Sequence, residues 1–208
     1  ALSGGEMAVP GNWIQKNSGL EDSPELLAAD MLEGGDHRGD PELVNVIAPI
    51  MAEEHGPAWR QTTFYPFAEA ALHARGQAYA PAISSPTIHT EAYGDVPAID
   101  AVVTWDEQAR TGLLLAVNRD ANTPHTLTID LSGLPGLPGL GTLALSKAQL
   151  LHEDDPYRTN TAEAPEAVTP QPLDIAMNAT GTCTATLPAI SWISVEFHAD
   201  PGDGGKRC

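Results

Sequence analysis

The chain has few cysteines and few basic residues, and it lacks any long hydrophobic run. Its 208 residues include two cysteines, Cys183 and Cys208, too few for a disulfide framework, and no Cys-x-x-Cys or Cys/His cluster indicates zinc. We expect no bridge between them, because such pairings are uncommon in reducing compartments.

No stretch approaches the roughly 20 apolar residues of a membrane span. The start, ALSGGEMAVPG, has neither the basic nor the apolar region of a signal peptide. We therefore expect a cytoplasmic protein without a membrane partner, and leave an extracellular one open.

The shortage of basic residues leaves a strongly acidic balance. There are 28 acidic and 10 basic residues, so the formal net charge is -18 at pH 7. A surface of this charge repels phosphate backbones, which argues against nucleic acid as a partner. Composition does not decide self-association, and a homo-oligomer stays open.

The first third of the chain has the pattern of an α/β region. Apolar residues dominate 42–51, ELVNVIAPIM, which predicts a strand buried on both faces, as in a parallel sheet. N-cap and stop signals predict a helix over about residues 24–33. A second helix is predicted to start at Pro66 and to end at Gly76. One buried parallel strand needs neighbours, and this region offers none.

From about residue 77 the apolar period becomes that of β-strands. Short segments rich in β-formers are separated by Gly, Pro, Asn and Asp, the pattern of an antiparallel sandwich. Ile99, Ala101 and Val103 share one face of their strand, so each strand should bury one side. Trp192 is expected to pack in the core or at an edge. The predicted strand segments are 77–83, 97–106, 113–119, 125–133, 142–151, 182–188 and 190–197.

Polar and Pro/Gly-rich stretches separate these strands. Residues 106–112, DEQARTG, are predicted to form a hairpin loop closed by Gly112, and residues 134–141 a Pro/Gly linker. Residues 153–172 have no apolar period and are predicted to be a long surface excursion. The last ten residues, 199–208, are predicted to be disordered.

No group of carboxylates in the sequence has the support that catalysis requires. Glu53-Glu54-His55 follows the buried strand, where barrel enzymes carry reactive groups, but a solvated loop is the more ordinary reading. Glu6 lies in a Gly-rich stretch without a preceding strand. The histidines are scattered, so we predict no metal and no cofactor. Trp59 either stacks on a sugar or seals a domain junction, and we favour the seal.

Several ordered motifs together resemble one enzyme family. They are LVNVIAPI, GPAWRQTTFYPF, SSP, YGDVP, AVNRD, TNTAE and ATLPAISW. In this order they resemble the C-terminal part of the family-51 glycoside hydrolases, the α-L-arabinofuranosidases, over roughly residues 42–197. The resemblance implies a (β/α)₈ barrel followed by a β-sandwich, with residues 42–51 as the last barrel strand. The neighbours of that strand would then belong to the barrel.

The resemblance also implies where catalysis would reside. The family carries its acid/base glutamate in an Asn-Glu pair and its nucleophile in an Asp-Glu-Trp-Asn segment, and neither motif occurs in this sequence. We therefore assign no catalytic residue. Before LVNV the family has Ala-Gln, whose glutamine contacts the sugar, whereas Pro41-Glu42 stands here. Glu42 is thus the single candidate substrate-binding residue, and we expect it to be a weak sugar ligand.

These observations predict a mainly β protein: a jelly-roll-like antiparallel sandwich preceded by a remnant of a (β/α)₈ barrel. The predicted domains are a barrel segment at 1–76, a sandwich at 77–198 and a tail at 199–208. The implied function is that of the C-terminal portion of a retaining enzyme that releases terminal α-L-arabinofuranosyl groups from arabinan or arabinoxylan oligosaccharides, this chain being inactive alone. The alternative is a non-catalytic module that binds carbohydrate or mediates oligomerisation.

Overall fold

The computed structural model describes residues 50–52, 56–134, 142–178 and 181–199. The chain divides into two compact units. The first contains residues 1–67 and 158–168, and the second contains residues 68–157 and 169–208. The domain boundary placed between 76 and 77 stays a prediction, and the helix predicted at 24–33 lies outside the described residues. Within the described ranges, no helix is long and apolar enough to cross a membrane.

The first unit contains a short antiparallel hairpin. Strands β1 (Ile50–Ala52) and β2 (Ala58–Arg60) pair with Met51 opposite Trp59. Ile50 and Met51, at the described end of the segment 42–51, are half-buried, and the parallel setting predicted for that segment stays a prediction. The nearest complementary edge is the chain itself as it returns through Ala58, so the backbone pairs locally.

Helix α1 (Phe64–His73) follows the hairpin and is the α-helix of the described residues. It begins two residues before the predicted start at Pro66, because Pro66 sits in the first turn, where its missing N–H would have had no partner anyway. The chain leaves the helix through Gly76, which has a φ of +77°. A Cβ on Gly76 would collide with the backbone of Trp105, so glycine is required there for both conformation and space.

The described part of the second unit contains ten strands. Their bounds are β3 (Gln77–Tyr79), β4 (Thr87–Thr90), β5 (Gly94–Pro97), β6 (Ile99–Asp106), β7 (Thr111–Asn118), β8 (His125–Asp130), β9 (Leu143–His152), β10 (Gln171–Pro172), β11 (Thr182–Leu187) and β12 (Ser191–Ala199). Six form an antiparallel sheet in the order β10-β9-β12-β7-β6-β3, and β11 pairs with β8 in a second sheet. β4 and β5 form a separate hairpin. Each of the seven predicted segments contains a strand, but residues 80–83 of the first segment belong to none, and the β4–β5 hairpin was not predicted.

Apolar side chains from both sheets form one core. Val103 and Leu114 of the six-stranded sheet belong to the same buried cluster as Ile129 and Ala185 of the two-stranded sheet. The predicted alternation in β6 is confirmed, since Ile99 and Val103 are buried and Asp100 is exposed. Two sheets that bury their inner faces against each other make a sandwich.

Strand β12 runs through the middle of the large sheet and is buried on both faces. Ile193, Val195 and Phe197 point into the core, and Ser194 on the opposite face is 1% exposed. Trp192 is also buried, as expected. Ala199, assigned to the disordered tail, is instead the last residue of β12 and is buried; residues 200–208 lie outside the described ranges. The error has a simple cause: the ladder with β9 continues to Leu143, opposite Ala199.

The ring of Phe197 explains why Gly112 is not a loop residue. Phe197 stacks on Trp105 with ring centroids 5.8 Å apart and planes 5° from parallel. Gly112 lies inside β7, opposite both Trp105 and Phe197, and a Cβ there would overlap the Phe197 ring. The loop itself is closed by Asp106, whose Oδ1 accepts the amides of Gln108 and Ala109 at 2.9 Å. Glycine at position 112 is therefore required by the packing of the Phe197 ring and not by the turn.

Candidate functional site

The carboxylates considered as catalytic or sugar-binding candidates in the sequence lie outside the described residues. This holds for the candidate sugar ligand and for the acidic groups weighed as catalytic, namely Glu42, Glu6, Glu53, Glu54 and the adjacent His55. Their proposed roles therefore remain predictions. Two polar clusters can be described in atomic terms, one in each unit.

The cluster of the first unit is centred on Asn160. This side chain is 1% exposed. Its Nδ2 donates to the carbonyls of Arg60, at 2.8 Å, and Val168, at 3.0 Å, and its Oδ1 accepts the amide of Val168 at 2.7 Å. A buried amide can satisfy all of its groups only if the backbone around it is fixed. Asn160 therefore holds residues 158–168 against strand β2.

Two side chains from the hairpin region meet the same residue. The indole Nε1 of Trp59 donates to the Asn160 carbonyl at 2.9 Å, and Gln61 Nε2 donates to it at 3.0 Å. Trp59 is half-buried, and this bond fixes its ring. The other amide atom of Gln61, Oε1, is buried and has no hydrogen-bond partner among the residues that the structure describes. Whether Trp59 seals a junction, as favoured from the sequence, stays a prediction.

The importance of Asn160 was missed because the sequence around it has no apolar period. Residues 153–172 were predicted to be a surface excursion, and this is wrong for its middle part: Asn160 is 1% and Val168 is 5% exposed. A buried segment held by side-chain amides does not show the alternation that marks strands. The one available signal was TNTAE, quoted for its resemblance to the family.

The second unit carries a charged cluster where helix α1 meets the large sheet. Glu69 is 8% exposed. It accepts from Ser194 Oγ at 3.3 Å and from Gln149 Nε2 at 3.4 Å, and Lys147 Nζ lies 3.6 Å away. Glu196 lies 3.5 Å from Lys147 and 3.6 Å from His73. Each buried charge thus has a compensating neighbour.

This cluster has two features of a functional site, and its geometry argues against both. Ligand atoms of Glu69, His73 and Glu196 lie within 4.8 Å of one another, as metal ligands do. Lys147 contacts both carboxylates and already supplies the positive charge that a metal would bring. Two carboxylates this close also approach the roughly 5 Å spacing of a retaining glycosidase pair. Glu69 lies on the face of helix α1 that is buried against the large sheet, so no sugar can lie between the two carboxylates. We interpret the cluster as a structural charge network.

Asp120 and Cys183 are two groups of the second unit whose pKa values are shifted. The amide of Asn122, 2.9 Å from Asp120 Oδ1, together with His125 at 3.3 Å, holds the pKa of Asp120 below its usual value. Burial raises the pKa of the Cys183 thiol, which is free. A buried thiol of raised pKa is a poor nucleophile. Neither group offers catalytic chemistry.

The sequence profile described as "Alpha-L-arabinofuranosidase C-terminal domain" matches residues 42–191. The chain belongs to this family. Over 157 residues it is 99% identical to an "Intracellular exo-alpha-(1->5)-L-arabinofuranosidase" of Bifidobacterium longum, a match covering 76% of this chain and 28% of that protein. The chain therefore spans little more than a quarter of the length of this relative. The family resemblance read from the motifs is confirmed.

A solved structure agrees with this membership. It is that of AbfB, a family 51 α-L-arabinofuranosidase from B. longum, with a TM-score of 0.66 and 92% identity, covering 74% of this chain and 28% of that one. The predicted fold class, mainly β with a C-terminal sandwich, is confirmed.

A shorter match is to a protein of another name. Over 46 residues, which are 22% of this chain, the sequence is 70% identical to a "Urocanate reductase" of Eggerthella lenta, and the match covers 8% of that protein. The share of that enzyme is too small to carry its function.

Proposed function

We propose that this chain is the C-terminal portion of a retaining exo-acting α-L-arabinofuranosidase. The observation that carries the proposal is the 99% identity over 157 residues to an enzyme of that name, reinforced by the family profile over residues 42–191. The complete enzyme would release terminal α-L-arabinofuranosyl groups from arabinose-containing oligosaccharides. Because that relative is named intracellular, we place the activity in the cytoplasm.

The chemistry requires more than this chain supplies. Retaining hydrolysis uses one carboxylate as nucleophile and another as acid/base, held about 5–5.5 Å apart. In barrel enzymes such groups rise from the ends of different strands. The Asn-Glu and Asp-Glu-Trp-Asn motifs are not in this sequence, and Glu69 and Glu196 share a lysine. This chain should therefore contribute the sandwich and the adjoining barrel segment, while the catalytic pair comes from the remainder of the enzyme.

Glu42 is the one sugar contact that we propose for the chain. It occupies the position where the family carries a glutamine, and a carboxylate lacks the two N–H donors of an amide. In the complete enzyme, Glu42→Gln should therefore raise kcat/KM. Unchanged kcat/KM would argue against a contact between Glu42 and the sugar, and lower kcat/KM would contradict the prediction that Glu42 is a weak sugar ligand.

The experiment is to join the upstream region of the 99% identical relative to residues 42–208 and to assay an aryl α-L-arabinofuranoside. The joined protein should turn over the substrate and the 208-residue chain should not. A folded joined protein without activity would overturn the proposal. Retention on immobilised arabinan by the 208-residue chain would instead support the carbohydrate-binding module.

A matched control guards against activity from the loop carboxylates. The 208-residue chain is assayed beside its Glu53→Gln, Glu54→Gln double variant. Turnover that survives repurification and is lost in the double variant would place the catalytic groups in that loop and contradict the assignment of no catalytic residue.

A further inference from the structure

Three loops of the second unit meet at one end of its sandwich and enclose a pocket of about 220 Å³. They are the β7–β8 loop (119–124), the segment after β9 (153–156) and the β11–β12 turn (188–190). The volume suits one small ring with its substituents and is too small for a helix of another chain. The lining combines three prolines, two alanines and Ile190 with His152, Glu153 and Asp154.

Hydrogen bonds between the loops fix the shape of this pocket. Asn118, the last residue of β7, donates from Nδ2 to the carbonyl of Pro188 at 2.8 Å. His152 joins the turn to the segment after β9, because its Nδ1 lies 3.4 Å from the Ile190 carbonyl oxygen and its Nε2 lies 3.2 Å from Asp154 Oδ1. The three prolines restrict the backbone further. A ligand would therefore meet a preformed pocket and would not have to order the loops.

Ile190 is the strained residue of the pocket. Its φ is +44°, in the left-handed region that a β-branched residue rarely adopts. Its amide donates to the carbonyl of Asp120 at 3.0 Å, which helps to hold this conformation. Glycine would adopt the conformation freely, yet the chain has an isoleucine there that is 44% exposed. Strained residues cluster at ligand sites, so an exposed and strained apolar residue in a pocket lining indicates contact with a ligand.

The chemistry of the lining narrows the class of ligand. Glu153 and Asp154 carry carboxylates, which accept hydrogen bonds from hydroxyl groups and repel anions. The net charge of -18 disfavours anions as well. The prolines and Ile190 supply an apolar wall. A sugar residue matches both parts, because its C–H groups can pack on the apolar wall while its hydroxyl groups donate to the carboxylates.

We infer that this pocket binds one arabinofuranosyl residue of an arabinose-containing oligosaccharide. The choice of a sugar rests on the pocket, whereas the choice of arabinose rests on the proposed function. The few contacts that one sugar residue can make correspond to a Kd of roughly 1–10 mM. Binding this weak does not retain the chain on immobilised arabinan, so the inference differs from assigning the chain as a carbohydrate-binding module.

The test is a titration of the isotope-labelled 208-residue chain with α-(1→5)-linked arabinotriose, followed by the chemical shifts of its backbone amides. Amides within 119–124, 153–156 and 188–190 should shift and saturate, whereas those of the β4–β5 hairpin should not. Maltotriose is the control sugar and should leave the three loops unshifted at the same concentrations. The measurement needs no turnover, so its result does not depend on whether the joined protein is active.

Two variants check the location. Ile190→Gly removes part of the apolar wall and should weaken the binding of arabinotriose about fivefold. Asp154→Asn replaces a charged acceptor by a neutral one and should also weaken it about fivefold. Asp155→Asn makes the same change on the next residue, which is not part of the pocket lining, and should leave the affinity unchanged.

Three results would overturn the inference: no saturable shifts in the three loops, equal binding of maltotriose, or an unchanged affinity in both Ile190→Gly and Asp154→Asn. Tighter binding of lysine amide than of arabinotriose would also overturn it, since the carboxylates would then be recognising a cation and not hydroxyl groups. Thermal melts show whether each variant is folded, and the titration of the unaltered chain decides the question even if one is not.

Discussion

Each of the two compact units is stabilised internally by a different kind of interaction. In the second unit, apolar side chains of both sheets form one cluster that includes Trp105, Ile193 and Phe197. In the described part of the first unit, the amide side chain of Asn160 donates to the carbonyl of Arg60, 100 residues earlier in the sequence. An apolar core tolerates changes that preserve volume, whereas a satisfied polar network fails when one member is lost. The units should therefore respond to different substitutions.

The largest effect is expected from the core of the second unit. Phe197 is 1% exposed and stacks on Trp105. Phe197→Ala should lower the free energy of unfolding by about 3–5 kcal/mol, because it removes buried surface and leaves a cavity. Urea unfolding followed by near-ultraviolet circular dichroism measures it. Leu72→Ala, at a side chain 65% exposed, is the control and should change stability by less than about 0.5 kcal/mol. Equal losses in the two variants would mean that Phe197 is not a core residue.

A smaller and local effect is expected in the first unit. Asn160→Ala leaves the Arg60 carbonyl and both backbone groups of Val168 without their partner. Amide exchange at Val168 should accelerate roughly 30- to 150-fold, corresponding to about 2–3 kcal/mol of lost protection. Amides of β12 should keep their rates.

The control for this change is Asn122→Ala, which removes an exposed amide side chain of the second unit and should leave exchange at Val168 unchanged. If Asn160→Ala accelerates exchange equally in both units, the contrast between a local polar clamp and a separate apolar core is wrong.

The charge network between helix α1 and the large sheet should contribute less to the free energy of unfolding than the Asn160 network does. Lys147 is 46% exposed, so solvent screens its attraction to Glu69 and Glu196. Lys147→Met should cost about 0.5–1 kcal/mol at low salt and less at high salt. The same substitution in a Glu69→Gln background should cost less still, because one of the two anions it balances is gone. An equal cost in both backgrounds would show that Lys147 acts through packing of its alkyl chain.

The smallest effect concerns acid stability. The pKa of Asp120 is held below its ordinary value of 3.8, first by the amide of Asn122. A carboxyl whose pKa is lowered by folding stabilises the protein above its unfolded pKa and loses that contribution as the pH falls through the folded value. The chain should therefore be more stable than Asp120→Ala at pH 7, and the difference should shrink below about pH 3.8. Thermal melts across this range measure it, and a difference independent of pH would show that the charge of Asp120 does not contribute.

Where the sequence predicted the fold well, local pattern and final packing agreed. The alternation of Ile99, Ala101 and Val103 identified a strand with one buried face, and the structure has that strand as β6. Prediction failed where a residue's role depended on a distant partner. Gly112 looked like a loop residue, but its conformation is that of a strand, and the ring of Phe197, 85 positions later, requires its lack of a side chain. No window of local sequence contains that information.

The sequence by itself determined the strand pattern, the acidic surface and, through ordered motifs such as TNTAE, the family. These depend on residue types and their spacing along the chain. Only the tertiary structure decided that Asn160 is buried at the centre of a hydrogen-bond network and that Glu69 shares a lysine with Glu196. Each of these joins residues that are distant in sequence, and their contacts exist only once the strands have paired and the sheets have packed.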